Sequence, residues 1–199
     1  MEFVTQTGGT IFNVMAGLYL LAVLLRFLLQ VAKADFYNPV SQAVVRVTNP
    51  LVQPLRKIIP GFRGIDFSSL ILALLVEAVA ICVLAIIYYN TLPTPGQIIT
   101  WSVVGVLKFT LDIYTYAILA SIIMSFVMMF SGSTNPHPIL RLIWQLTEPV
   151  MAPFRRILPP MGGLDFSPIL VFLAIGVLTN ALYGVFGVTQ LMARLVVGL

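Results

Sequence analysis

A 20-residue stretch rich in proline and arginine occurs twice in this chain, and it limits the possible folds more than any other feature. The first copy covers residues 49–68 and the second covers residues 148–167, an offset of 99 residues. Three prolines, two adjacent cations, one glycine and an Asp-Phe-Ser triplet fall in register between the copies. Solenoid repeats have periods of only about 20–50 residues. The offset therefore predicts a duplicated half-protein, with one repeat at 1–99 and the other at 100–199.

The composition indicates that both halves lie in a membrane. Hydrophobic residues make up 59% of the chain and charged residues only 9%, whereas soluble domains carry about 25% charged residues. A helix needs about 20 mainly apolar residues to cross a bilayer. Four apolar runs meet this length, at 10–31, 67–89, 98–130 and 166–188. The sequence therefore predicts an all-α polytopic membrane protein with four transmembrane helices, two in each repeat.

The distribution of lysine and arginine predicts how the chain is oriented. Five of these residues fall in the first connector, about 32–65, and three in the second, about 131–165. The segments 1–9 and 90–97 have none. Because short loops rich in lysine and arginine stay in the cytoplasm, we expect both connectors to be cytoplasmic and both termini to lie outside. The two repeats then run parallel, related by an axis along the membrane normal.

The connectors themselves contain proline-punctuated apolar patterns. In the first connector, Asn-Pro pairs at 38–39 and 49–50 divide the segment, since proline disfavours helix in the residue before it. Apolar residues on either side of Pro50 recur at helical spacing, with cations beside them. We expect short amphipathic helices lying in the membrane interface, one on each side of Pro50. The alternative is an irregular, partly buried loop.

The duplicated stretch places arginine ten residues before aspartate in each copy. If the connector folds back, Arg56 can pair with Asp66 and Arg155 with Asp165, and each pair would join the connector to the next span. A purely local interpretation is also open, in which prolines set the bends, Gly64 permits a tight turn and the aspartate caps a helix. The remaining interpretation is a basic cluster that binds anionic lipid or a partner protein. The candidate binding residues are Arg56, Lys57, Asp66, Arg155, Arg156 and Asp165.

Three polar residues within the apolar spans are candidates for a function. Glu77 lies ten residues into the second span, and an ionisable group at that depth is a functional hypothesis by default. It can equally be a neutral carboxyl group that is hydrogen-bonded inside the bundle. Arg26 lies near the end of the first span, where it either extends to the headgroups or meets a buried ionic partner. Asn180 is the polar residue of the fourth span.

The sequence offers little for catalysis or metal binding. Cys82 is the only cysteine, and His137 is the only histidine and lies between two prolines. We therefore expect no metal site, no cofactor and no catalytic residue. Lys108 and Asp112 are four residues apart on a predicted helix, so they can form a local ion pair.

The duplicated motif resembles that of the YggT family of small bacterial membrane proteins, which also has plastid relatives. The resemblance rests on Asn-Pro-x-x-x-Pro-x-Arg-Lys-Ile-x-Pro at 49–60, followed by Gly-x-Asp-Phe-Ser at 64–68, and on its second occurrence. It implies two repeats of two spans each, an inner-membrane location and no established enzymatic activity. It also implies links to osmotic stress tolerance and to envelope or membrane-complex assembly. The second copy departs in having Glu148 for asparagine and Pro168 for serine.

These observations favour a non-catalytic accessory or scaffold protein of the bacterial inner membrane. Its expected partners are anionic lipids and other membrane proteins, with a homo-oligomer possible and no direct contact with nucleic acid. The alternative function is a channel or transporter for an ion or small solute, with Glu77 as the intramembrane group and Arg26, Asp112 or Asn180 as neighbours. A membrane enzyme is the weakest class, because no nucleophile–base pair or metal-ligand spacing occurs in the sequence.

Overall fold

The computed structural model describes residues 2–61, 64–131, 137–158 and 165–199, and it places seven α-helices in them. Four of these helices are long and apolar enough to cross a membrane, so the predicted all-α protein with four transmembrane helices is confirmed. The sequence features at Arg63 and at 159–164 lie outside the described residues. The helices are α1 (Glu2–Val31), α2 (Pro39–Ile58), α3 (Phe67–Tyr89), α4 (Pro95–Ser131), α5 (Pro138–Ile157), α6 (Ser167–Phe186) and α7 (Gln190–Leu195).

The ends of the helices follow local backbone preferences. The span α3 covers Phe67–Tyr89 as predicted, and it ends at Asn90, whose left-handed φ of 52° stops the helix. Gly187 ends α6 in the same way with a φ of 57°. Gly64 has a φ of 84°, so the predicted tight turn before α3 is confirmed.

Each connector holds one continuous 20-residue helix, α2 or α5. The expected pair of short helices is therefore wrong for the first connector, and the irregular loop is wrong as well. Pro50 and Pro54 lie inside α2, where each removes a single backbone N–H while its fixed φ remains helical. The helix continues past them because Thr48 and Val52 are fully buried and α2 packs on α1 and α3.

The core is formed mainly by the first repeat and the start of the second. Helix α1 packs along α3, and α3 packs on α4. Within the most apolar 18 residues of each span, 33% and 39% are buried in α1 and α3, against 11% and 6% in α4 and α6. Fewer residues are therefore buried by the chain itself in the spans of the second repeat than in those of the first.

The segment after α6 returns into the bundle, although no pattern in the sequence predicts this. Met192 and Leu195 of α7 pack against Ile81 and Leu84 of α3. Beyond α7 the chain stays inside, since Val197 is only 3% exposed. This inserted segment, residues 190–199, is called the tail below.

Within the described residues, two hydrogen bonds join the connectors directly. The backbone N–H of Asp35 donates to the side-chain Oε1 of Gln145 over 3.0 Å. The side-chain Nδ2 of Asn38, at the start of α2, donates to the carbonyl oxygen of Pro138 at the start of α5 over 2.7 Å. Both connector helices consequently lie at the same end of the bundle, called here the connector end.

Candidate functional site

The first copy of the motif forms a buried ion cluster where α2 ends and α3 begins. Arg56 donates a hydrogen bond from Nη2 to Oδ2 of Asp66, so this predicted pair is confirmed. The Nε of Arg26, from α1, lies 3.8 Å from the same oxygen. Asp66 is 1% exposed and Arg26 is 5% exposed, whereas Arg56 is 46% exposed. These three residues are called the first corner below.

Arg26 lies inside the fold and does not extend to the headgroups. Its Nη1 donates to Oγ1 of Thr48 and to Oδ1 of Asn49, each over 2.8 Å. The interpretation of Arg26 as an interfacial anchor is thus wrong, and its stated alternative, a buried ionic partner, matches the structure. The reason is that α2 folds back over the end of α1 and brings polar groups to the guanidinium.

The carboxylate of Asp66 holds the corner together and does not cap α3. Asp66 occupies the N-cap position, but its side chain bonds no backbone N–H of the helix. It accepts from Oγ of Ser69 over 2.8 Å as well as from Arg56. Its Oδ1 is buried and has no hydrogen-bond partner among the described residues. The expected capping role is therefore wrong in this copy, because Arg56 and Ser69 both bond Oδ2 and no N–H of the helix donates to either carboxylate oxygen.

The second copy forms an ion cluster of different composition, called the second corner. Arg155 donates from Nε to Oδ2 of Asp165 over 2.8 Å, which confirms the predicted pair. It also donates from Nη1 to Oε2 of Glu148 over 2.6 Å. Here the aspartate does receive a backbone N–H, that of Ser167, over 2.9 Å. The N-cap residue of α6 is however Phe166, which has no side-chain cap hydrogen bond, and Asp165 lies one residue before it. The predicted capping role is therefore wrong in this copy as well.

The two corners carry opposite excess charge. The first has two guanidinium groups for one carboxylate, and the second has two carboxylates for one guanidinium. The inversion comes from two positions, since Ser125 stands 99 residues after Arg26, and Glu148 stands 99 residues after Asn49. An alignment of the halves at this offset already contains both differences.

A cavity borders each corner. The cavity at the first corner has a volume of about 500 Å³, and that at the second corner has a volume of about 570 Å³. The first is lined by Arg26, Gln30, Phe36, Val45, Arg56, Gly61 and Asp66. The side chains at the second include Ser121, Ser125, Trp144, Glu148, Arg155 and Asp165.

Lys57 and Arg156 differ from the other four motif residues. Both are exposed in the last turn of their connector helices, and neither forms an ion pair with another described residue. The six candidate binding residues thus divide into four that stabilise the connectors and two that face outward. The latter two form no internal ion pair among the described residues, so the whole charged group of each is available to a partner.

The ion pairs predict how stability depends on pH. Burial opposes the charge on Asp66, but hydrogen bonds from Arg56 and Ser69 hold its pKa below the usual 3.8. The pKa of Asp165 is lowered in the same way by Arg155 and Ser167 against a smaller burial. A carboxylate with a lowered pKa stabilises the fold above the unfolded-state pKa, and that stabilisation is lost as pH falls through the folded-state pKa.

We therefore expect the melting temperature in detergent to stay flat from about pH 7 to about pH 5 and to fall below about pH 4. The variant Asp66→Asn should show a smaller fall, since it has lost the titrating group. A melting temperature that rises on acidification below pH 4 would contradict the assignment.

Glu77 anchors the tail. Its side chain is fully buried, and its Oε1 accepts a hydrogen bond from the backbone N–H of Val197 over 2.8 Å. Gly105 of α4 lies alongside, because a Cβ added there would be 2.9 Å from that oxygen. The expected neighbours of Glu77 pair elsewhere, Arg26 with Asp66 and Asp112 with Lys108. No pattern in the sequence indicates a contact between these residues, which lie 120 positions apart.

Two other polar features of the spans lie in the second repeat. Lys108 Nζ donates to both carboxylate oxygens of Asp112 at 2.7 and 2.6 Å, so that predicted pair is confirmed. Asn180 is exposed on α6. Among the described residues there is no group of three or more histidine, cysteine, aspartate or glutamate side chains that could hold a metal ion.

Comparison with known proteins gives consistent matches along both halves. The family model described as CCB3/YggT matches residues 5–87 and again residues 100–186. A Pseudomonas aeruginosa protein named PA0392 is 45% identical over 166 residues, 83% of this chain and 82% of that protein. The YggT protein of Escherichia coli K12 is 37% identical over 163 residues, 81% of each chain. An Arabidopsis thaliana protein named YlmG homolog protein 2, chloroplastic, is 32% identical over 89 residues, 44% of this chain and 33% of that protein. No solved structure matches the chain.

Proposed function

This chain belongs to the CCB3/YggT family, and from that premise we propose that it is a non-catalytic accessory protein of the bacterial inner membrane. Its role is to assemble with partner membrane proteins in the envelope, with both connectors on the cytoplasmic side. The observation that supports this proposal is the low burial of the second repeat, where only 6% of the residues in the most apolar 18-residue stretch of α6 are buried.

Asn180 shows why that surface favours a protein neighbour over lipid alone. Its side chain is exposed on α6, and it lies six residues, or about 9 Å, from the far end of the helix. A side-chain amide in hydrocarbon loses the hydrogen bonds that water would give it. Transmembrane helices commonly satisfy such a group by bonding across to a neighbouring helix. A helix of a partner protein against α6 would supply those bonds.

The exposed cations at the connector end support the same proposal. Lys57 and Arg156 occupy equivalent positions in the two repeats and face outward. Two cations at fixed positions can orient an acidic surface of a partner, although exposed ion pairs add little affinity each. Lys33 and Arg141 are also exposed in the connectors, and they provide a comparison of equal charge outside the motif.

The test places a photo-reactive amino acid at position 180 of the full chain in native membranes. We expect adducts with another protein from this position, and only lipid adducts from position 79 of α3, where Val79 is 59% exposed. The double change Lys57→Gln and Arg156→Gln should lower the yield of protein adducts about fivefold, the effect of roughly 1 kcal/mol lost from two exposed ion pairs. Lys33→Gln with Arg141→Gln should leave it unchanged.

Lipid adducts alone at position 180 would refute the proposal. Adducts with a second copy of this chain would also refute it, since they would show that α6 mediates self-association. The masses of the cross-linked products distinguish these outcomes.

A further inference from the structure

We propose that the cavity at the first corner binds a glycerophosphate headgroup, meaning a phosphodiester that carries neighbouring hydroxyl groups, as in phosphatidylglycerol. This cavity uses none of the residues that the proposed function assigns to partner binding, namely Asn180, Lys57 and Arg156. Its test is therefore independent of the proposed function. It rests on the charge of the corner, the donors and acceptors left over there, and the apolar residues that complete the cavity wall.

The excess positive charge of the first corner favours the binding of an anion. Arg26 and Arg56 share the single carboxylate of Asp66, and both line the cavity. Arg26 is almost completely buried, and a buried charge is costly unless it is paired. Within the described part of the chain, the corner has no second carboxylate to supply that pairing. A phosphate group in the cavity would balance the charge.

The arginines also have hydrogen-bond donors to spare. Arg26 donates only through Nη1, and Arg56 only through Nη2, to acceptors among the described residues. A guanidinium carries five N–H donors in a planar fork that suits phosphate oxygens. Further N–H groups of two arginines on different helices thus border one cavity. Arg46, which lines an adjoining cavity together with Phe36 and Val45, adds a third cation nearby.

The carboxylate of Asp66 adds a requirement for a hydroxyl donor. Its Oδ1 is buried without a donor among the described residues, and a buried acceptor left unpaired costs free energy. A phosphodiester alone cannot supply this donor, because all its oxygens are acceptors. A glycerol headgroup presents hydroxyl groups beside the phosphate and can serve both the arginines and Asp66.

The wall and position of the cavity fit a lipid. Phe36 and Val45 line it beside the charged groups, and Phe36 is 43% exposed. The cavity lies at the connector end, where Arg26 near the end of span α1 meets the connector helix. This is the depth at which a headgroup and the first carbons of its chains lie.

The second corner serves as an internal control. It has the same motif and a cavity of similar size, but its described charges sum to an excess of one carboxylate. An anionic headgroup would be repelled there. Substitutions in the second corner should therefore leave phosphatidylglycerol binding unchanged, although they remove chemically identical groups.

The experiment measures lipid retained by the full chain after extraction from nanodiscs, by native mass spectrometry. Each disc contains phosphatidylcholine with equal amounts of phosphatidylglycerol and phosphatidylmethanol, an anionic phosphodiester without free hydroxyl groups. We expect phosphatidylglycerol to be retained about tenfold over phosphatidylmethanol, as one satisfied hydrogen bond to a charged group predicts. The change Arg56→Gln should lower its retention about tenfold, whereas Arg155→Gln should not.

Folding is checked on every variant by circular dichroism and melting. If Arg56→Gln does not fold, Arg56→Lys keeps the charge without the fork, and it should reduce retention partially. Soluble glycerol 3-phosphate, added to the protein in detergent, tests for a free metabolite as the source of the headgroup; its tight binding would support the chemistry and assign a soluble ligand. Equal retention of the two anionic lipids, or equal losses in Arg56→Gln and Arg155→Gln, would overturn the proposal.

Discussion

Replacing Asp66 with asparagine is expected to lower the free energy of unfolding by about 3 kcal/mol, while the equivalent change Asp165→Asn lowers it by about 1 kcal/mol or less. The two aspartates occupy the same place in the motif. Asp66 is 1% exposed, and its loss leaves the buried Arg26 without its carboxylate. Asp165 is 31% exposed, so water screens its pair with Arg155. Asparagine has the same shape, and the difference therefore reports charge and not packing.

The measurement is a denaturant titration of both variants in the same detergent, followed by the loss of helical signal. A double change, Asp66→Asn with Arg26→Met, tests the mechanism, because removing both buried charges should recover part of the stability. Equal effects of the two aspartate changes would show that burial of the first corner does not increase the contribution of its ion pair to the free energy of unfolding.

Enlarging Gly105 is expected to expel the tail from the bundle. A Cβ at this position would lie 2.6 Å from Cγ1 of Val196 and 2.9 Å from Oε1 of Glu77. Leucine cannot fit there unless one of them moves. Overpacking of this kind costs about 1–3 kcal/mol, and the tail is held by one hydrogen bond and a few apolar contacts. The change Gly105→Leu should therefore shift the equilibrium toward a released tail.

Release is measured by labelling a cysteine at position 197 with a hydrophilic maleimide, in a background with Cys82→Ala. We expect almost no labelling with Gly105 present and nearly complete labelling in Gly105→Leu. The matched control is Gly96→Leu in the same helix, since a Cβ at Gly96 would meet nothing within 4 Å. Nearly complete labelling in all three proteins would show that the tail is already free in the membrane, and almost no labelling in Gly105→Leu would show that the larger side chain does not release it.

The same assay separates the two interpretations of Glu77. Glutamine keeps the oxygen that accepts from Val197, so Glu77→Gln should retain the tail, whereas Glu77→Ala should release it. A liposome flux assay on Glu77→Gln tests the alternative function as a channel or transporter. An ion flux that the glutamine variant abolishes, with the tail still in place, would favour transport.

What the sequence could predict is what local spacing determines. The pairs Arg56–Asp66 and Arg155–Asp165 were predictable because ten residues with a turn bring the two ends together. The course of α2 through Pro50 was not, since a proline's local preference is weaker here than the burial of Thr48 and Val52 on two other helices. The environment of Arg26 depends on that same packing, and its interpretation failed for the same reason.

The other features that the sequence did not predict are contacts between distant segments. The tail and Glu77 meet across 120 residues, and an apolar segment of ten residues has no period long enough to reveal a buried position. The inverted charge of the two corners was partly predictable from the sequence. Glu148 was visible as a departure from the motif, but its significance appeared only when Arg26 was found to lie against the first copy.

The insertion of the tail means that the unit that was duplicated is not the unit that folds. The boundary between the repeats passes between α3 and α4, which pack against each other, and the end of the second repeat fills a space inside the first. A first half alone would expose the packing face of α3 and leave Glu77 without Gly105 and Val197 beside it. The two copies of one pattern thus form a single packed structure, in which α4 and the tail of the second repeat cover α3 of the first.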